Sequence, residues 1–265
     1  MLTILEWLVD HPVVLLVVVF TVLSASTWVG VTVLTKLKEQ VAELRDDVRL
    51  IEGATLTLLA LIIGFTFSMA VGRYDQRKNL EEAEANAIGT EYVRAELLPA
   101  EDAARVKSLL VKYLDLRVRH YTCLSEVPGG ADAETAKLQD QLWGAVRAPA
   151  STRADPVMAL VLSGMNDVLN SQSYTQAAWL NRIPIAAWVM MLAIAVGSSL
   201  LVGVGAQTAK ALSRVLLILP LVLSIALYLI ADIDSPRRGV ICVSPQNLLL
   251  LSAQLHASSP AASKP

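Results

Sequence analysis

The sequence predicts an all-α membrane protein, with four transmembrane helices in a two-plus-two order and a helical domain inserted between spans two and three. Three observations lead there. Hydrophobic residues make up 54% of the 265 residues and charged ones only 17%, with a mean hydropathy of +0.52. That is too apolar for an ordinary soluble domain of this size. Four long segments carry no Asp, Glu, Lys or Arg, and between the second and third of them, over 73–182, no useful length alternates polar and apolar residues as a strand would. The formal net charge is −2, so no basic excess points to nucleic acid.

A bilayer core of about 30 Å takes about 20 apolar residues per helix. The first span is predicted at 13–34. The residues before it hold Glu6 and Asp10 and no Lys or Arg, the wrong sign for a cleaved leader, so it is expected to stay as a helix. A linker at 36–51 repeats Leu37, Val41, Leu44, Val48 and Ile51 at three- and four-residue steps, which predicts an amphipathic helix in the interface or on a neighbour. The second span, 53–72, completes an N-terminal membrane pair over 1–72. Within it Ala60, Gly64, Ser68 and Gly72 recur every fourth residue. Such a strip of small side chains admits the backbone of a neighbouring helix. It fits ordinary packing inside one subunit, or a bundle closed tightly around a symmetry axis with a narrow pore. Ala195, Ser199 and Gly203 repeat the pattern in the third span.

Residues 73–182 form the only stretch able to build a domain outside the bilayer. No proline occurs between the second span and Pro99, so that span is expected to run on as one long helix. Val106, Leu109, Leu110, Tyr113, Leu114 and Tyr121 mark the apolar face of a further helix. The Pro-Gly-Gly run at 128–130 is a loop, a short helix follows around 135–146, and a last one from Pro156 is expected to run directly into the third span. The C-terminal pair, 183–231, holds spans at 183–209 and 215–231. Pro184 opens the third span; Pro220 lies inside the fourth and predicts a kink. The tail, 232–265, ends in a small and polar run expected to be disordered. Lys and Arg near the span ends balance on the two sides, so charge does not orient the chain.

Catalytic and metal signatures are absent from the sequence. His11, His120 and His256 have no second ligand at metal spacing, and neither a phosphate-cradling glycine loop nor a nucleophile elbow occurs. No enzyme activity, metal or cofactor is therefore expected. Glu81, Glu82, Glu84 and Glu91 read as a solvated helix face. Cys123 and Cys242 read as two unpaired thiols.

Two runs, "GFTFSMAVGRYDQRKNLEEAEANAIGTEYVRAELLP" and "DIDSPRRGVICVSP", together with the two-plus-two layout, resemble the bestrophin-like domain family of bacterial membrane proteins over roughly residues 10–250. More distantly the chain is similar to the bestrophins, pentameric anion channels. In bestrophins the second span lines the pore neck and carries a Gly-Phe pair, then an Arg and an aromatic nine residues after the Gly. Gly64-Phe65 and Arg73-Tyr74 stand at that spacing. Carried over, the neck positions are Thr57, Leu61 and Phe65, with Thr57 departing from the large apolar pattern, and Arg73 would stand at the pore exit. Calcium-binding bestrophins use an acidic cluster after the last span; only Asp232 and Asp234 follow it here, too few for a site by themselves. The paired Trp after the Arg is replaced by Tyr74-Asp75. The resemblance implies a multi-pass protein of the bacterial inner membrane, with its large domain cytoplasmic. It implies lipid, further copies of itself (a pentamer) and small anions such as chloride as its partners. From a different class, a non-conducting membrane scaffold or signalling protein whose helical domain binds a protein partner fits the same segments.

Overall fold

The computed structural model describes residues 2–32, 45–121, 131–151, 155–205, 213–236 and 239–258, and every regular element among them is helical. The helices are α1 (Leu2–Val9), α2 (Pro12–Thr32), α3 (Arg45–Arg94), α4 (Ala100–His120), α5 (Ala131–Ala150), α6 (Pro156–Leu180), α7 (Ile185–Gly205), α8 (Ser213–Leu216), α9 (Ile218–Asp234) and α10 (Gln246–Ser258). They divide into two compact units, Met1–Gly72 with Arg182–Ile241, and Arg73–Asn181 with Cys242–Pro265.

Among the described residues, three stretches contain a segment long and apolar enough to cross a membrane: Pro12–Thr32, one within Asp47–Leu97 and one within Pro156–Gly205. The fourth apolar segment forms α9, whose 17 residues rise about 26 Å, at the lower edge of what a bilayer core requires. Most of the predicted 36–51 linker lies outside the described residues; its last residues are the first turns of α3.

In the first unit α2 packs against α7 and α9. Its buried line is Leu15, Val19, Leu23, Thr27 and Gly30, a step of three or four residues. The α2–α7 crossing brings backbone to backbone. A Cβ on Gly30 would stand 2.3 Å from the Leu200 carbonyl oxygen, and one on Gly203 would stand 2.2 Å from the Thr27 carbonyl oxygen. Two helices meet this closely only where neither has a side chain. The fourth segment is interrupted at Leu217, between α8 and α9, although Leu217 keeps helical backbone angles. Pro220, three residues on, has no N–H to give the Leu216 carbonyl, which is the disturbance the proline predicts.

In the second unit α3 runs unbroken to Arg94, tightens into one 3-10 turn at Ala95–Leu97, and gives way to α4 at Pro99. The apolar face of α4 buries Val106, Leu110, Tyr113 and Leu114. Asp155 caps α6 by accepting the Met158 N–H at 2.8 Å, with Pro156 in the first helical position. Contrary to expectation, α6 does not continue into α7. It ends at Leu180 and α7 starts at Ile185, because Pro184 disfavours helical backbone in the residue before it. The C-terminal segment is not simply a tail. α10 packs on α4 and places Leu248 and Leu255 in the core; residues 259–265 lie outside the described residues. Cys242 is disulfide-bonded, which corrects the unpaired reading for that residue, since spacing along the chain does not register what folding brings near; Cys123 lies outside the described residues.

Candidate functional site

The apolar part of α3 is the element on which the predicted positions converge. At 100° per residue, Leu59, Thr66 and Ala70 fall on one line, and these are the residues it buries. The small strip Ala60, Gly64, Ser68 and Gly72 centres about 160° from that line, and Thr57, Leu61 and Phe65 about 200° from it. All seven therefore share the half of the helix turned away from its own chain. All seven are exposed, with Leu61 at 53% and Phe65 at 64%. Among the described residues nothing stands within 4 Å of a Cβ built on Gly64 or Gly72. The two small-residue strips thus differ: that of α7, with Ala195, Ser199 and Gly203, is buried within the subunit, and that of α3 is not.

Arg73 falls about 120° round the helix from the Thr57-Leu61-Phe65 line. It is half-buried and already engaged within the chain. Measured from Phe65 itself, the angle is about 80°.

The acidic residues of α3 overturn the solvated-face expectation. Glu82 is exposed, but Glu81, Glu84 and Glu91 are buried to 1% or less. Glu81 caps α10, its Oε1 accepting the Leu248 N–H at 2.9 Å and its Oε2 the Asn247 amide at 2.7 Å. Glu84 is gripped by Arg117, whose Nε donates to Oε1 and Nη2 to Oε2; Tyr121 and Thr175 hydroxyls add bonds of 3.1 and 3.3 Å to Oε2. Burial alone would lower the Arg117 pKa, but the charge and hydrogen bonds of Glu84, with Tyr113 and Tyr121 adding to them, together raise it. Burial, with the Glu84 charge adding to it, pushes the Tyr113 phenol up to about 12. Glu91 has no hydrogen-bond partner on either oxygen, and burial pushes it up to about 8. Arg94 pulls that carboxyl down and Asp167 pushes it up, each by less than burial does. The sequence held a usable signal: Glu81, Glu84, Ile88 and Glu91 keep helical period, so the acids share the stripe of a buried isoleucine.

Asp232 and Asp234, at the end of α9, are buried and held by backbone donors. Asp232 accepts the Val240 and Ile241 N–H groups at 2.8 Å each, and Asp234 accepts that of Ile183 at 3.1 Å. These bonds fix the position of both side chains at the end of α9. Among the described residues no three His, Cys, Asp or Glu side chains group closely enough to hold a metal.

Charge-free helices of membrane-crossing length, joined to a helical unit with a buried polar network, define an integral-membrane helical protein. The Bestrophin-like domain model matches residues 14–248, and the chain belongs to that family. Its fold is similar to the crystal structure of a mutant bacterial bestrophin homologue from Klebsiella pneumoniae, with a TM-score of 0.67 at 12% identity, covering 91% of this chain and 98% of that one. Another structure of the Klebsiella homologue gives 0.65 at 13%, covering 91% and 97%. A crystallised membrane-protein variant gives 0.67 at 13%, also covering 91% and 97%. At these identities the likeness is one of fold. No curated protein matches the chain in sequence at a significant level.

Proposed function

We propose that this protein is an oligomeric anion channel rather than an enzyme, with four spans of which α9 is the last, and with the outward half of α3 lining a narrow neck. One observation carries the reading. The face of α3 that leaves Leu61 and Phe65 uncovered also bears an unoccupied small-residue strip, so copies can approach closely around an axis while large apolar side chains point into it. A ring of Phe65 presents electropositive aromatic edges to ions that have shed part of their hydration, which favours chloride and other small anions. Thr57 adds a polar ring two turns away, its hydroxyl bonded to the Gly53 carbonyl at 2.8 Å. Arg73 is left out of the conducting face and acts as an interfacial anchor. The pentameric state, the cytoplasmic placement of the helical unit and the inner-membrane location belong to the same proposal and rest on the family membership.

The test is chloride flux from liposomes containing the purified chain, wild type against Phe65→Ala. Removing the ring is expected to raise flux and weaken anion selectivity. Equal flux and selectivity in the two proteins overturn the neck assignment. No flux from either, with both folded, favours the non-conducting scaffold.

A further inference from the structure

Glu81, Glu84 and Glu91 lie on one buried stripe of α3, and the first two have every oxygen bonded to a donor. Glu91 is as deeply buried and has none. It is wedged against α6 at a position cut to fit it. A Cβ on Gly164 would stand 2.0 Å from Glu91 Oε2 and 2.4 Å from Arg94 Nη1. The carboxyl thus fills the gap left by a missing side chain on the facing helix, and its shape is part of the α3–α6 contact. A neutral acid is tolerated there, whereas an ionised one without a hydrogen-bond donor is strongly disfavoured. The charged groups bearing on it are Arg94, one turn on along the same helix, and Asp167 of α6.

We propose that Glu91 is a proton-operated latch that holds α6 against α3 while its carboxyl is neutral and releases α6 as the proton is lost. The sign follows from linkage. The closed carboxyl titrates near 8 and a freed one near the ordinary 4.5, so opening gives up a proton at every pH between. The contact is at full strength below 4.5, weakens as pH rises towards 8, and changes no further above that. Between about pH 5.5 and about pH 8.5 the opening equilibrium rises about 200-fold.

Hydrogen exchange in residues 161–168 of the full chain in detergent, corrected for the intrinsic pH dependence of exchange, reads this opening directly. Wild type is expected to lose about 200-fold more protection over that interval than Glu91→Gln, which keeps the shape and stays neutral. Asp167→Asn is expected to shrink the loss and Arg94→Gln to enlarge it, because their charges act on the carboxyl in opposite directions. A wild-type excess below about threefold, or an equal loss in Glu91→Gln, overturns the latch. Should Glu91→Gln fail to fold, the opposed responses of the other two variants decide, and unchanged responses in both overturn it.

Discussion

Replacing Gly30 with alanine puts a methyl group where α2 and α7 touch. The new Cβ would stand 2.3 Å from the Leu200 carbonyl oxygen and 3.0 Å from Gly203 Cα. Ordinary contact begins near 3.4 Å, so the helices must part by about 1 Å at the crossing. Both obstacles are backbone, and no rotamer change relieves them. A gap of that size forfeits up to half the dispersion well for each atom pair it separates, and overpacking of this kind costs about 1–3 kcal/mol. Alanine returns about 1 kcal/mol of helix propensity. With the crossing at the upper end, the expected net loss is about 2 kcal/mol. Gly64→Ala is the control: the same change on a helix, but with nothing within 4 Å of the new Cβ. It is expected to leave the stability of the dissociated subunit unchanged or raise it by up to about 1 kcal/mol, while weakening assembly if the exposed face of α3 is the packed one. Denaturant unfolding in mixed micelles, followed by helical circular dichroism, measures both. Gly30→Ala as stable as Gly64→Ala would refute the backbone-contact reasoning.

Two further substitutions test the polar core of the helical unit. Glu84→Ala leaves Arg117, 1% exposed, as a buried charge without its bidentate partner, and is expected to cost about 3–5 kcal/mol in the same unfolding measurement; a loss under about 1 kcal/mol would show that water or another acid replaces the carboxylate. His256→Ala removes a pair with Asp115 whose side chains are 55% and 42% exposed; it is expected to change stability by less than about 1 kcal/mol at any pH, and a larger, pH-dependent loss would mean that this contact anchors α10.

Much of the membrane part was legible from charge alone. Segments of some twenty residues without an ionisable group have few soluble explanations, and the absence of proline before Pro99 forecast the unbroken α3. Thr57, Leu61 and Phe65 were singled out by resemblance alone, through the register that the Gly-Phe and Arg-Tyr pairs fix. What the reading missed depends on distant partners. Glu84 looks solvated until Arg117, 33 residues on, is folded against it, and Glu81 until the first turn of α10 arrives 166 residues later. α10 itself was passed over, although Leu248, Leu251 and Leu255 keep helical spacing.

The nature of the obstacle at each close approach has a genetic consequence. At Gly164 an added methyl meets the ends of the Glu91 and Arg94 side chains, and a second substitution that shortens one gives the flexible end of the other room to move aside. Defects at that site can therefore be suppressed from a distance of 70 residues or more along the gene. At Gly30 the methyl meets the Leu200 carbonyl and the Gly203 backbone, which every amino acid supplies. No compensating codon exists in the facing helix, and selection for restored function after Gly30→Ala should return true revertants.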